Sequence, residues 1–274
     1  MTGSVLDKDV VVPALAAEWA SIDELLDSLT PAQWAAPTAL PGWSVQDNVA
    51  HIIGTECLLA GRTAPPCDAD VRGFAHVHND IGAANETWVE GMRGESPARV
   101  LEKFREITAV RRKTLEDLPQ ADWDAPSWTP AGQRTYGRFM RIRLFDCWMH
   151  EQDIREAVGI PGNESGPAAE GALSEIVDAL GFLVGKKAGA PQGTSVTVEL
   201  TGPVHATWHV AVDGRAAVVD ELPGPATATV RLPSNLFGRL VGGRVPVADR
   251  LGELTIEGDA DLGRRVAHAL PFTI

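Results

Sequence analysis

Residues 143–159, RLFDCWMHEQDIREAVG, space Arg143, Asp146, Cys147 and His150 three or four positions apart. On a helix such residues share one face, and Phe139 and Ile154 fall on the same side, so the face is read as inward. An inward acid, imidazole and guanidinium are costly unless something pairs them. A carboxylate and an imidazole four residues apart can hold one metal ion from a single helix. Two ligands do not make a stable site, so a third must come from another element. His51 is the natural donor, and His76 and His78 form a rival H-x-H pair on a loop. The same spacing also suits an ordinary hydrogen-bonded Asp146–His150 pair with Arg143 bridging Asp146 across one turn. Spacing alone leaves both readings open.

The cysteines offer no obvious alternative chemistry. Cys57, Cys67 and Cys147 contain no CxxC pair, which disfavours a disulfide framework or a structural zinc finger. Cys147 has no helix N-terminus nearby, and Asp146 beside it raises a thiol pKa, so it reads as a packed thiol rather than a nucleophile.

Several helices must position these groups. Apolar spacing predicts a helix over 13–29, stopped at Thr30-Pro31. A second runs over about 45–60, where Ser44 and Asp47 make a capping box. Others are predicted over 80–92, over 97–118 with Ser96 as its cap, and over 168–187. The quoted segment belongs to a helix over 137–158, ended by Gly159 and Pro161. ADWDAPSWTPAG, just before it, reads as a loop. After AGAPQGT the pattern changes to short β-rich runs: TSVTVEL, ATWHVAV, RAAVVD and ATATVRL. A short helix near 235–241, the strand ELTIEG and a closing helix DADLGRRVAHAL follow. The fold expected is a helical bundle over 1–190 and a small α+β domain over 191–274.

Composition agrees with two soluble domains. The chain has 274 residues, past the size at which one core usually stops growing. Its 44% hydrophobic and 22% charged residues are ordinary for a globular protein. A net charge of −13 argues against nucleic acid and an anionic membrane as partners. An acidic small molecule stays possible, because a local arginine can outweigh remote surface charge. No run of about 18 apolar residues suggests a membrane span. The start, MTGSVLDKDV, lacks a leader-peptide pattern, so the cytoplasm is the expected location.

The segments LPGWSVQDNVAHI and RLFDCWMHEQDIREAVG, in that order and about a hundred residues apart, resemble the DinB superfamily. Within it they are most similar to the mycothiol-dependent maleylpyruvate isomerase family. The resemblance covers nearly the whole chain and implies a DinB-like four-helix bundle followed by a sterol-carrier-like α+β domain. It implies His51, Asp146 and His150 as metal ligands, zinc or another divalent ion as the metal, and mycothiol as co-substrate. Three ligands on zinc leave a position open, where a thiol is deprotonated near neutral pH. The partners implied are therefore a small thiol and an electrophilic or unsaturated acid. Mycothiol belongs to actinobacteria, and the excess of arginine over lysine agrees with a GC-rich genome.

The acid departs from the family pattern, a glutamate there and the shorter Asp146 here, which would shift the metal. The reaction implied is thiol addition to a cis unsaturated diacid, rotation and elimination. The alternatives are an S-transferase that leaves the thiol on an electrophile, and a noncatalytic metal- or lipid-binding protein. A diacid needs a carboxylate clamp, for which Arg143 and Arg244 are the candidates; Arg231 and Arg239 lie near Arg244 in VRLPSNLFGRLVGGR. Asp153, one turn after His150, is a candidate to orient a ligand histidine.

Overall fold

The computed structural model describes residues 7–273; residues 1–6, part of the stretch read above for a leader, and residue 274 lie outside them. The chain divides into two compact units, Met1–Asn163 and Glu164–Ile274. Among the described residues no helix is long and apolar enough to cross a membrane.

The first unit is built on α1 (Lys8–Asp27), α2 (Val45–Leu59), α3 (Asp80–Met92), α4 (Pro97–Asp117) and α5 (Tyr136–Val158). Helices α1 and α2 each pack on both α4 and α5, and α3 packs on α2. Leu15, Ile22 and Leu26 of α1, Val49 and Ile52 of α2, Phe104 and Ile107 of α4, and Leu144 and Ile154 of α5 are buried between them. These residues recur at helical spacing, which is why each segment forms a helix with one apolar face. Helix α1 starts at Lys8, five residues before Pro13, the first residue expected for it. The Asp7 side chain accepts from the Asp9 N–H to cap it, and Pro13 sits exposed inside the helix. The segment before α5 is not wholly a loop. Two short strands, β1 (Pro126–Thr129) and β2 (Gly132–Thr135), pair antiparallel there.

One buried polar cluster ties α1, α5 and the end of this unit together. Asn163 donates from Nδ2 to Glu18 at 2.9 Å and to Glu151 at 2.5 Å. Ser21 and Arg155 also donate to Glu151. Burial, then the neighbouring Glu151, pushes the Glu18 carboxyl well above its ordinary range. The folded unit therefore holds a proton that the unfolded chain releases near the usual carboxylate pKa. That contribution to stability is complete below the unfolded pKa and is lost as pH rises through the raised one. Glu18→Gln keeps a neutral side chain and removes the loss. We expect this variant to melt a few degrees above wild type at neutral pH, at roughly 2–4 °C per kcal/mol. The gap should close toward pH 4, which melting curves over a pH series would show; a gap independent of pH would contradict a proton held on Glu18.

The second unit opens with α6 (Pro167–Ser174) and α7 (Val177–Phe182), the latter continuing as a π-helical turn over Leu183–Lys187. Its sheet contains β3 (Ser195–Thr201), β4 (Ala206–Asp213), β5 (Arg215–Val219), β6 (Ala228–Pro233) and β7 (Thr255–Gly258) in the order β5-β4-β3-β6-β7. Strand β3 pairs parallel with β6, and the other pairings are antiparallel. Helices α8 (Ser234–Val241) and α9 (Ala260–Ala269) complete it. The division falls at residue 163 where the expected boundary is near 190, and the stretch Val177–Lys187 packs on β5 of the sheet. A Cβ on Gly181 would lie 2.8 Å from the Ala216 carbonyl oxygen, and one on Gly185 2.5 Å from the Ala216 Cβ. Two bare glycines thus let that segment lie directly on β5. Helical periodicity shows that a face is buried, not which neighbour buries it.

Candidate metal centre

Ligand atoms of His51, Asp146 and His150 lie within 4.8 Å of one another. Helix α2 delivers His51, and α5 delivers the other two from successive turns. The capping box at the start of α2 fixes its entry: the Ser44 side chain accepts from the Asp47 N–H, and Asp47 accepts from the Ser44 N–H. His51 Nε2 is 3.1 Å from Asp146 Oδ2, and His150 Nε2 is 3.6 Å from Asp146 Oδ1. The two imidazoles meet edge to face at 4.7 Å. Both are buried, whereas the Asp146 side chain keeps 30% of its exposure, so the carboxylate marks the open side.

Trp43 closes another side, its ring 5.3 Å from His51 and 5.9 Å from His150. It is held by its indole N–H, which donates to Glu86 at 2.8 Å. Glu86 is also met by His76 at 3.0 Å and Arg93 at 3.2 Å. The preceding Gly42 has φ +80, and a Cβ there would stand 2.9 Å from the His76 ring, so only glycine fits this turn. His76 thus serves the tryptophan loop and does not join the three clustered side chains; neither does His78.

Arg143 is buried and fully engaged. Its Nε donates to Glu56 Oε1 at 2.8 Å, one Nη donates to Asp146 Oδ2, and the other lies 3.5 Å from the Cys147 sulfur. Glu56 in turn accepts from Arg111 Nε at 2.9 Å, and Arg111 donates to the Tyr136 hydroxyl at 3.0 Å. The result is a charge ladder, Arg111–Glu56–Arg143–Asp146, that alternates in sign and reaches solvent only at the Asp146 end. Burial alone would raise the Asp146 carboxyl, but Arg143, then His51 and His150, hold it well below the usual carboxylate range. It is an anion and ready to ligate. Burial holds His51 below its ordinary pKa. Burial would also lower His150, but Asp146 and then Asp153 bring it above its ordinary value.

Asn48, Glu56, Arg111 and Trp43 were not singled out from sequence. Asn48 stands three residues before His51, which is a usable helical spacing, whereas Glu56 shares no simple spacing with it. Asp153 does lie beside His150, its Oδ2 3.4 Å from Nδ1. Arg244 belongs to the second unit, where it donates to the Gly242 carbonyl at 2.6 Å. Arg231 there bridges Glu199 and Glu257 at 3.0 Å each.

A sequence model of the mycothiol maleylpyruvate isomerase N-terminal domain matches residues 15–155, more than half of the chain. The chain belongs to the mycothiol maleylpyruvate isomerase family. The C-terminal domain model of this family matches residues 170–265, within the second unit. A solved mycothiol-dependent maleylpyruvate isomerase has the same fold, with TM-score 0.57 at 16% identity over 92% of this chain and 93% of that one. Sterol Carrier Protein 2 from Yarrowia lipolytica aligns with 35% of this chain and 88% of its own, at TM-score 0.28 and 18% identity. Two Mycobacterium tuberculosis relatives, from strains H37Rv and CDC 1551, carry only the description uncharacterized protein. Each is 27% identical over 216 residues, 74% of this chain and 77% of the relative. Family membership thus accounts for a helical unit followed by a sheet unit.

Proposed function

We propose that His51, Asp146 and His150 bind a divalent ion, zinc, and that the protein catalyses a mycothiol-dependent isomerisation of a cis unsaturated diacid. The observation that carries this reading is the convergence of three ligand atoms beside a buried cysteine that cannot replace an external thiol. The donor set fits zinc, since two imidazoles and one carboxylate are its usual nitrogen and oxygen ligands. An ion held there supplies a positive charge that keeps a thiol in its anionic form near neutral pH.

The protein's own residues then have separate tasks. His51, Asp146 and His150 hold the ion. Arg143, fixed by Glu56, anchors the shorter acid and balances its charge, so we assign it to Asp146 rather than to a substrate carboxylate. Trp43 screens the imidazoles from water on one side. Burial pushes the Cys147 thiol well above its ordinary range, despite Arg143 beside it, so it stays protonated and unreactive. The nucleophile is the mycothiol sulfur. It forms a C–S bond to one alkene carbon as the C=C π pair moves onto the conjugated acyl group as an enolate. The former double bond, now single, rotates. The returning pair re-forms the alkene and expels the thiolate, giving the trans diacid with the thiol regenerated.

The test is an assay of a cis unsaturated diacid with and without mycothiol, on metal-loaded and metal-stripped protein. We expect turnover only when both are present, with no net loss of thiol, and Cys147→Ser should retain most of it. A stable thioether would select the S-transferase reading, which the shorter acid Asp146 keeps in view. Turnover indifferent to thiol would overturn both, and metal binding without turnover would leave a noncatalytic protein.

A further inference from the structure

We infer that Asn48 is a positioning residue that fixes which nitrogen of His150 faces the metal. The inference rests on the metal reading of the three side chains. Asn48 is fully buried on the first turn of α2. Its side-chain oxygen meets His150 Nδ1 at 2.8 Å. The orientation of that amide follows from its other two neighbours. Its Nδ2 lies 2.9 Å from the Ser44 carbonyl, which can only accept. It also lies 3.1 Å from Thr38 Oγ1. The Thr38 hydroxyl proton is committed elsewhere, because it donates to the Trp43 carbonyl at 3.0 Å. Both neighbours of Nδ2 are therefore acceptors, and the amide cannot be turned round without opposing lone pairs at each.

The oxygen of Asn48 must then point at His150, and an amide oxygen accepts only. His150 Nδ1 therefore carries a proton. The second group near Nδ1, Asp153 Oδ2 at 3.4 Å, is also an acceptor and demands the same tautomer. In the neutral ring the lone pair is left on Nε2, the nitrogen that faces Asp146. A chain of directed hydrogen bonds thus runs from the Trp43 backbone through Thr38 and Asn48 to the ligand. The loop that places the tryptophan over the imidazoles also sets the polarity of one of them.

The experiment uses the full-length protein with nitrogen-15 histidine. In metal-free wild type at a pH where the ring is neutral, long-range proton–nitrogen spectra should show His150 protonated at Nδ1. After loading with cadmium-113, coupling to His150 should appear at Nε2. Asn48→Leu, of similar volume but with no acceptor, should mix the tautomers and weaken cadmium binding by roughly 10–100-fold in chelator competition. Asn48→Asp keeps an acceptor toward Nδ1 but sets a second oxygen against the Ser44 carbonyl and Thr38 Oγ1, so it should keep the Nδ1 proton while lowering the melting temperature. Should Asn48→Leu fail to fold, the wild-type spectra alone decide. Protonation at Nε2, cadmium coupling at Nδ1, or unchanged tautomer and affinity in Asn48→Leu would each overturn the inference. Failure of the metal reading looks different: wild type would take up no cadmium while His150 still held its proton on Nδ1.

Discussion

His150→Ala is expected to lose nearly all bound metal while the helical unit stays folded. A four-ligand structural zinc site binds with about 10–16 kcal/mol at neutral pH, so one ligand is worth roughly 3–4 kcal/mol. Its loss is a fall of about two to three orders of magnitude in affinity. Two residues would remain, His51 from α2 and Asp146 from α5. Asp146 cannot take up the slack, since its Oδ2 is already bound by Arg143. The cost to folding is smaller. Asn48 loses one partner, about 1–3 kcal/mol, while the apolar contacts between α1, α2, α4 and α5 are unchanged. Elemental analysis with circular dichroism checks both halves. Full occupancy in this variant would remove His150 from the site.

Glu56→Gln should be among the most destabilising single changes in the first unit. Glu56 joins Arg111 and Arg143 through separate oxygens at 2.9 and 2.8 Å, and all three side chains are at most 3% exposed. A neutral amide leaves two buried guanidinium groups sharing only the charge of Asp146. Breaking a buried pair in this way costs about 3–5 kcal/mol. That is a large part of a domain stability of roughly 5–15 kcal/mol. The melting temperature should fall by on the order of 10 °C. Adding Arg111→Met removes the surplus positive charge and should recover part of the loss. A single variant that melts within a degree or two of wild type would show that the ladder contributes little.

Much of this was legible in the residues because local rules decide it. The Ser44–Asp47 capping box, the stop after Val158 and the four-residue gap between Asp146 and His150 depend on neighbours within a turn or two. A capped helix of known phase is enough to put an acid and an imidazole on one face. The motifs LPGWSVQDNVAHI and RLFDCWMHEQDIREAVG resembled one family, and the domain matches bear that out. The start of α1 differs from the expected Pro13 because the Asp7 cap sets the boundary and the helix accommodates the proline beyond its first turn.

Tertiary structure decided the rest. His51 lies 95 positions before Asp146, and only the packing of α2 on α5 turns its Nε2 to within 3.1 Å of that carboxylate. The same packing converts Glu56 from an acid in a largely apolar stretch of helix into the centre of a buried ladder. Arg143 reads in sequence as a substrate clamp, yet the fold gives both ends of its guanidinium to protein groups. Asn48 has meaning only once Thr38, Ser44 and His150 surround it. A helix fixes the angle at which a side chain leaves its axis, but not what waits for it there. For buried polar groups the partner determines charge, tautomer and role, because an unpaired one is too costly to keep. Chemistry at this site is therefore written in single helices and settled between them.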